Sequence, residues 1–222
     1  MINVNKNIYL TLFFIFFCFC LSHAQDEEPK QNTKLLFKEI NFLEHRGTNV
    51  VDASFGAALL QGDYPDSKAD LYMKIGYKRH ITANLNIGIS VNKYDLTITD
   101  SLDQGYLSFD LNLEYLFNPD YELAPFIYAG YGYNATSDFE NTQTKVQAGL
   151  GVEYVIYDAV GIRIFGEYNQ VFSDETVGLI MPNVDDAFIR IGLGVNLYFG
   201  GAKRKEQLLS TMKTVINSNL IE

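Results

Sequence analysis

Cysteine, histidine and tryptophan are scarce in this sequence. Its 222 residues include two cysteines, three histidines and no tryptophan. Both cysteines, Cys18 and Cys20, lie near the N-terminus, so a chain processed beyond them has neither disulfide nor thiol chemistry. Histidine is the side chain most often used in general acid–base catalysis. Few histidines therefore leave few positions for an enzyme of that type.

Long apolar runs are also missing after the first residues. Ile8–Leu21 is apolar, follows the basic Lys6 and precedes the small-x-small site Ser22-His23-Ala24, which is the pattern of a secretory signal peptide. The run is shorter than the roughly 20 residues that a membrane-spanning helix needs. We therefore expect residues 1–24 to be a cleaved signal peptide.

Positive charge is scarce as well. Lys+Arg 17 against Asp+Glu 27 gives a formal net charge of −10. Nucleic-acid phosphates are bound mainly by lysine and arginine. The sequence therefore predicts no nucleic-acid partner.

Strict alternation of apolar and other residues is the dominant pattern. In Ala187–Phe199 every second residue from Ile189 onward is large and apolar, and the residues between include Arg190, two glycines and Asn196. A strand places alternate side chains on opposite faces, whereas a helix would scatter them. The same pattern recurs in seven upstream segments: 48–60, 70–80, 84–97, 105–117, 124–136, 144–156 and 159–172.

The connections alternate between short turns and longer polar loops. The turns after segments two and six are tight, the one after segment four is a little longer, and the loops after one, three, five and seven are longer and polar. Bacterial outer-membrane barrels are built this way, with short periplasmic turns. We predict an all-β fold: an eight-stranded antiparallel transmembrane β-barrel, an up-and-down meander, over residues 47–199. Residues 25–46 would be a periplasmic leader, whose part 33–46 could be a helix or an extra strand, and residues 200–222 a periplasmic tail.

The polar faces carry balanced charge and many glycines, which favours their placement inside a narrow barrel. A soluble lipocalin-like barrel would instead turn the apolar faces inward. The predicted lumen charge network is Asp52, Lys74, Lys78, Asp110, Glu114, Lys145, Glu153, Arg163, Glu167 and Arg190. Within it we expect Glu153 to pair with Arg163, and Glu167 with Arg190, because each pair lies on neighbouring strands.

The final strand carries a motif that suggests an assembly signal. Gly194-x-x-Leu197-x-Phe199 resembles the C-terminal signal read by the barrel-assembly machinery. Together with the eight strands and short turns, it makes the chain similar to the small outer-membrane β-barrel superfamily that includes OmpA. The stretches AFIRIGLGVNLYFGGAKRK and IGYKRHITANLNIGIS also resemble an outer-membrane barrel group of Bacteroidota, some of whose members are named as curli assembly components.

The predicted function is a non-enzymatic barrel of the bacterial outer membrane with a structural or interaction role. The alternatives are an accessory of a curli-like secretion or adhesion system and a soluble lipocalin-like binder of an apolar ligand. His45 and His80 lie before strand one and at a short turn, away from the outer rim where lipid-modifying barrels work. Acidic loops without EF-hand spacing predict a solvated rim rather than a metal site, and no cofactor is expected.

The expected partners follow from this location. They are outer-membrane lipid, the barrel-assembly machinery and a periplasmic or surface protein reached through the loops or the tail. The basic run Lys203-Arg204-Lys205 could hold anionic lipid headgroups.

Overall fold

A computed structural model describes residues 33–61, 69–98, 102–137, 139, 142–172 and 187–211 of the chain. One compact unit comprises residues 37–222, and of the other, residues 1–36, only Thr33–Leu36 are described. The elements are α1 (Thr33–His45), β1 (Asn49–Gln61), β2 (Ala69–His80), β3 (Leu85–Ile98), β4 (Leu102–Leu116), β5 (Leu123–Thr136), β6 (Thr142–Tyr157), β7 (Val160–Phe172), β8 (Ala187–Phe199) and α2 (Ala202–Thr211).

The eight strands form a closed antiparallel barrel in the order of the chain. Each strand pairs with its sequence neighbours, and β1 also pairs with β8 from Asn49↔Phe199 to Gln61↔Ala187. All sheet edges are thereby paired, as a strand that crosses a membrane requires. The predicted meander is confirmed.

The predicted strands differ from the observed ones by at most a few residues at their ends. β8 has the predicted bounds, whereas β4 begins at Leu102 rather than Gly105. Hydrophobic alternation marks the part of a strand between lipid and lumen, and it fades where a strand extends into a polar loop. The loop residues 62–68, 99–101 and 173–186 and the predicted cleavage site lie outside the described residues.

The apolar faces point outward and the polar faces point into the barrel. Ile75 is 69% exposed and Leu150 is 67% exposed, whereas Asp110 and Arg190 are buried. This arrangement is the reverse of the one expected for a soluble lipocalin-like binder, so that alternative is wrong. The barrel instead presents an apolar band to its surroundings, which is stable in lipid.

The two ends of the barrel differ. The short-turn end carries the connections 81–84, 117–122 and 158–159 together with the strand ends Asn49 and Phe199. The loop end is the opposite one, where β1, β3, β5 and β7 end. The predicted long loop between strands three and four is wrong, because β3 extends to Ile98 and β4 begins at Leu102. In the part of the chain that the structure describes, no helix is long and apolar enough to span a membrane.

Two short helices flank the barrel in sequence. Residues 33–45, for which the sequence left helix and strand open, form α1, and part of the predicted tail forms α2. Gly200 and Gly201 link β8 to α2 with φ angles of 79° and 94°. Glycine adopts such positive φ values without the steric cost that a Cβ atom adds. The chain can therefore turn sharply as it leaves the barrel.

Candidate functional site: the barrel interior

Arg190 lies at the centre of the largest group of charges inside the barrel. It is fully buried; its Nη2 lies 2.8 Å from Oδ2 of Asp110, and its Nε lies 2.7 Å from Oε1 of Glu167. Lys145, also fully buried, donates from Nζ to Asp110 (3.1 Å) and to Oδ1 of Asn169 (2.6 Å). Two cations and two carboxylates thus offset one another where water is excluded.

Aromatic rings surround this group toward the loop end. The guanidinium carbon of Arg190 lies 4.9 Å from the ring centre of Tyr72 and 5.4 Å from that of Tyr94. Tyr94 stacks between Tyr106 and Phe188, with ring centres 5.6 and 5.0 Å away. Cation–π contact adds to the stabilisation of the buried guanidinium. The rings also fill the lumen at this level.

A second group forms around Glu114. Both of its carboxylate oxygens lie 3.4 Å from Nζ of Lys78, and Oε2 accepts from Nη2 of Arg163 at 2.7 Å. The guanidinium of Arg163 lies 3.9 Å from the ring centre of Phe126. Arg163 and Glu153 are opposite each other in the β6–β7 register. The predicted pairing of those two residues was nevertheless wrong, because Arg163 reaches across the lumen to β4.

The remaining predicted charges form two smaller pairs. Lys74 lies 3.3 Å from Asp52, and Glu153 pairs with Arg46 at 2.8 Å. Asn196 also donates to Glu153, at 2.5 Å. All the charges assigned to the lumen from the sequence thus lie inside the barrel, in two clusters and two pairs. The Glu167 and Arg190 side chains meet as the sequence suggested.

Several residues that lie in the interior were not predicted from the sequence. Arg46 precedes β1, outside any alternating segment, so no periodicity marked it as an interior residue. Tyr128 donates to Glu167 at 2.8 Å, and Asn92 donates to Asp110 at 2.9 Å. Both belong to polar faces that the sequence did mark, and their size and hydrogen-bonding capacity were the available signal.

Glycines make room for the large interior side chains. A Cβ atom on Gly192 would lie 2.8 Å from Cζ of Phe165, and one on Gly149 would collide with the ring of Tyr128. Both glycines lie on inward-facing positions of their strands. The interior of an eight-stranded barrel is just wide enough to be filled by side chains. Large and small residues are therefore matched across the lumen.

The residues of the proposed assembly signal lie near the short-turn end of β8. Leu197 and Phe199 are half exposed on the outer face, and the Phe199 ring centre lies 6.4 Å from that of Tyr77. A Cβ atom on Gly194 would collide with Oγ of Ser54 inside the barrel. The motif thus presents two apolar side chains to lipid from a strand that closes the barrel.

The basic run after β8 is partly engaged within the chain. Arg204 pairs with Glu39, and Lys205 lies 3.8 Å from Glu44 of α1. Exposed ion pairs contribute little, about 0–1 kcal/mol each. They nevertheless place acidic side chains next to two of the three cations, which weakens the case for anionic headgroups there.

Among the described residues, few side chains are placed to carry out catalysis or to bind a metal ion. His80 packs edge-on against Phe42 at the short-turn end, with ring centres 5.0 Å apart, and His45 is the last residue of α1. No group of three His, Cys, Asp or Glu side chains that could hold a metal ion occurs among the described residues.

A closed eight-stranded barrel with an apolar exterior and an ion-paired interior defines a transmembrane β-barrel of the bacterial outer-membrane class. The crystal structure of neisserial surface protein A is similar, with 19% identity, a TM-score of 0.58, and coverage of 69% of this chain and 98% of that one. The β-barrel domain of Pseudomonas aeruginosa OprF (14% identity, TM-score 0.45, 68% and 99% covered) and Yersinia pestis Ail (15%, 0.42, 69% and 99%) also match. No protein-family model matches the chain, and no curated protein matches it either.

Proposed function

We propose that this protein is a non-enzymatic barrel of the outer membrane with a structural or interaction role. The observation that supports this proposal is that the interior is filled. Charges are paired across the lumen, and stacked rings occupy the half nearer the loop end. Such an interior stabilises a wall in the membrane and leaves the loops and the short-turn end as the surfaces for contact. Residues 1–24 would be the signal peptide that exports the chain, and both segments flanking the barrel would be periplasmic.

The positions of the histidines support the non-enzymatic part of the proposal. A serine nucleophile needs a neighbouring base for activation. His80 lies under α1 against Phe42, and His45 also lies at the short-turn end, away from the loop end. No observation in the described residues favours the curli-like accessory, which stays a prediction.

A fractionation experiment tests the proposed location and role together. We expect the protein in the outer-membrane fraction, with faster gel migration before boiling than after it, because a folded barrel resists detergent at room temperature. Vesicles containing the purified barrel should retain an entrapped small dye, and their lipid composition should stay unchanged. Recovery as a soluble periplasmic protein, dye release or lipid turnover would each contradict the proposal.

A substitution at Phe199 tests the proposed assembly signal. We expect Phe199→Ser to reduce the amount of inserted barrel several-fold, because it removes an apolar side chain from the lipid face at the end of the closing strand. The measurement is the heat-modifiable fraction in isolated membranes.

The matched control is Phe172→Ser at the loop end of β7. Phe172 is as exposed as Phe199 (46% against 49%), so both variants lose a similar lipid contact. Equal insertion of the two variants would place the signal elsewhere in the chain.

A further inference from the structure

Residues 37–45 of α1 are docked on the short-turn end of the barrel. Ile40, Phe42 and Leu43 are buried there. Phe42 packs against His80 at the end of β2, and a Cβ atom on Gly201 would lie 2.9 Å from Cδ2 of Leu43. Three apolar side chains therefore hold this segment against the barrel and against the turn that leaves β8.

Arg46, one residue beyond α1, enters the barrel mouth and is 1% exposed. Its Nε donates to Oε1 of Glu153 at 2.8 Å, and its Nη1 donates to the carbonyl oxygens of Pro119 (2.8 Å) and Tyr121 (2.7 Å). Its Nη2 donates to the carbonyl oxygen of Glu122 at 3.2 Å. All three guanidinium nitrogens are thus bound, by one carboxylate and three backbone oxygens.

This set of acceptors fits a planar guanidinium better than an ammonium group. Guanidinium offers five N–H donors in a fixed fork, whereas the lysine ammonium is a compact point charge with three donors. The guanidinium donors of Arg46 bind acceptors on two different parts of the fold. Nε donates to Glu153 on β6, and Nη1 donates to the turn between β4 and β5. Glu153 is itself fixed by the hydrogen bond from Asn196.

The contact crosses the barrel mouth. Arg46 is joined through Gly47 and Thr48 to β1, which pairs with β8, while its acceptors lie in the β4–β5 turn on the far side of an eight-strand ring. The otherwise filled interior keeps a small cavity of about 10 Å³, lined by Lys78, Asn86 and Ser90 among others. A side chain bound across the mouth lies between this cavity and the periplasmic side.

We propose that the short-turn mouth carries a guanidinium-binding site and that residues 37–45 of α1 form a plug, which Arg46 holds in the mouth. The site takes an alkylguanidinium group, here supplied by the chain itself. The role goes beyond the proposed function, since a barrel with a structural or interaction role needs no plug.

Chemical rescue with a small guanidinium compound tests the site. In a Cys18→Ser, Cys20→Ser background, Ser90→Cys supplies a buried thiol in the interior, and the rate of its reaction with a small charged thiol reagent reports access. We expect Arg46→Gly to raise this rate by about tenfold or more, because several charge-assisted hydrogen bonds are lost. Millimolar methylguanidinium should restore the slow rate, and methylammonium should not.

Two further variants keep the result decisive. Arg79→Gly removes an exposed arginine from the outer face of β2, away from the interior, and should leave the labelling rate unchanged. Arg46→Lys keeps the positive charge but loses the planar guanidinium, so it should fold and its thiol should be labelled faster than that of the parent. If Arg46→Gly does not fold, Arg46→Lys replaces it in the measurement. An unchanged rate in both Arg46 variants, or equal rescue by methylammonium, would overturn the guanidinium site.

Discussion

Replacing Arg190 with alanine is expected to lower the free energy of unfolding of the barrel by about 3–5 kcal/mol, the usual cost of removing one partner of a buried ion pair. The reason is the environment of the two carboxylates that remain. Glu167 loses its only cationic neighbour at ion-pair distance among the described residues, and Asp110 keeps only Lys145. A urea titration of the barrel folded in lipid measures the change.

Two comparisons show whether the loss comes from an unpaired buried charge. Lys203→Ala changes an exposed residue of α2 and should shift the free energy of unfolding by about 0.5 kcal/mol or less. Adding Glu167→Gln to Arg190→Ala should recover part of the loss, because the carboxylate no longer needs a partner. Equal effects of Arg190→Ala and Lys203→Ala would mean that the interior charges do not stabilise the barrel.

Replacing Leu193 with lysine is expected to block membrane insertion. Leu193 lies midway along β8, is 51% exposed on the outer face, and has Phe55 and Ile164 as its lateral neighbours. Lysine or arginine on the lipid face costs about 2–4 kcal/mol at the bilayer midplane. The inserted, heat-modifiable fraction should therefore fall strongly.

The matched controls separate the charge from the loss of the leucine. Leu193→Ala removes the apolar side chain without adding a charge, and it should insert. Gln207→Lys adds the same charge at an exposed position of α2, outside the barrel, and it should insert normally. Normal insertion of Leu193→Lys would mean that this face does not meet lipid.

The strands and their faces could be predicted from the sequence because each depends on a local pattern. Because side chains alternate along a strand, a repeat of two residues predicts which of them face the lumen and which face outward. Ile75 and Leu150 lie outside, and Asp110 and Arg190 lie inside, as that pattern required.

The partners of the interior charges depend on geometry that the pattern does not contain. Neighbouring strands suggested Glu153 for Arg163, but in a narrow lumen a long side chain also reaches strands that are not neighbours in the wall. Arg163 therefore meets Glu114 three strands away, and Glu153 is left for Arg46. Arg46 itself lies outside every alternating segment, so its interior position follows only from the docking of α1.

The pairing of β1 with β8 also constrains the order of events during synthesis. The first strand waits for its second partner until Ala187–Phe199, the last strand of the barrel, has been made. Until then any partial sheet has two unpaired edges and an apolar face, a combination that promotes aggregation. A chain truncated before residue 187 would lack β8, so it could not close the barrel and would keep both unpaired edges.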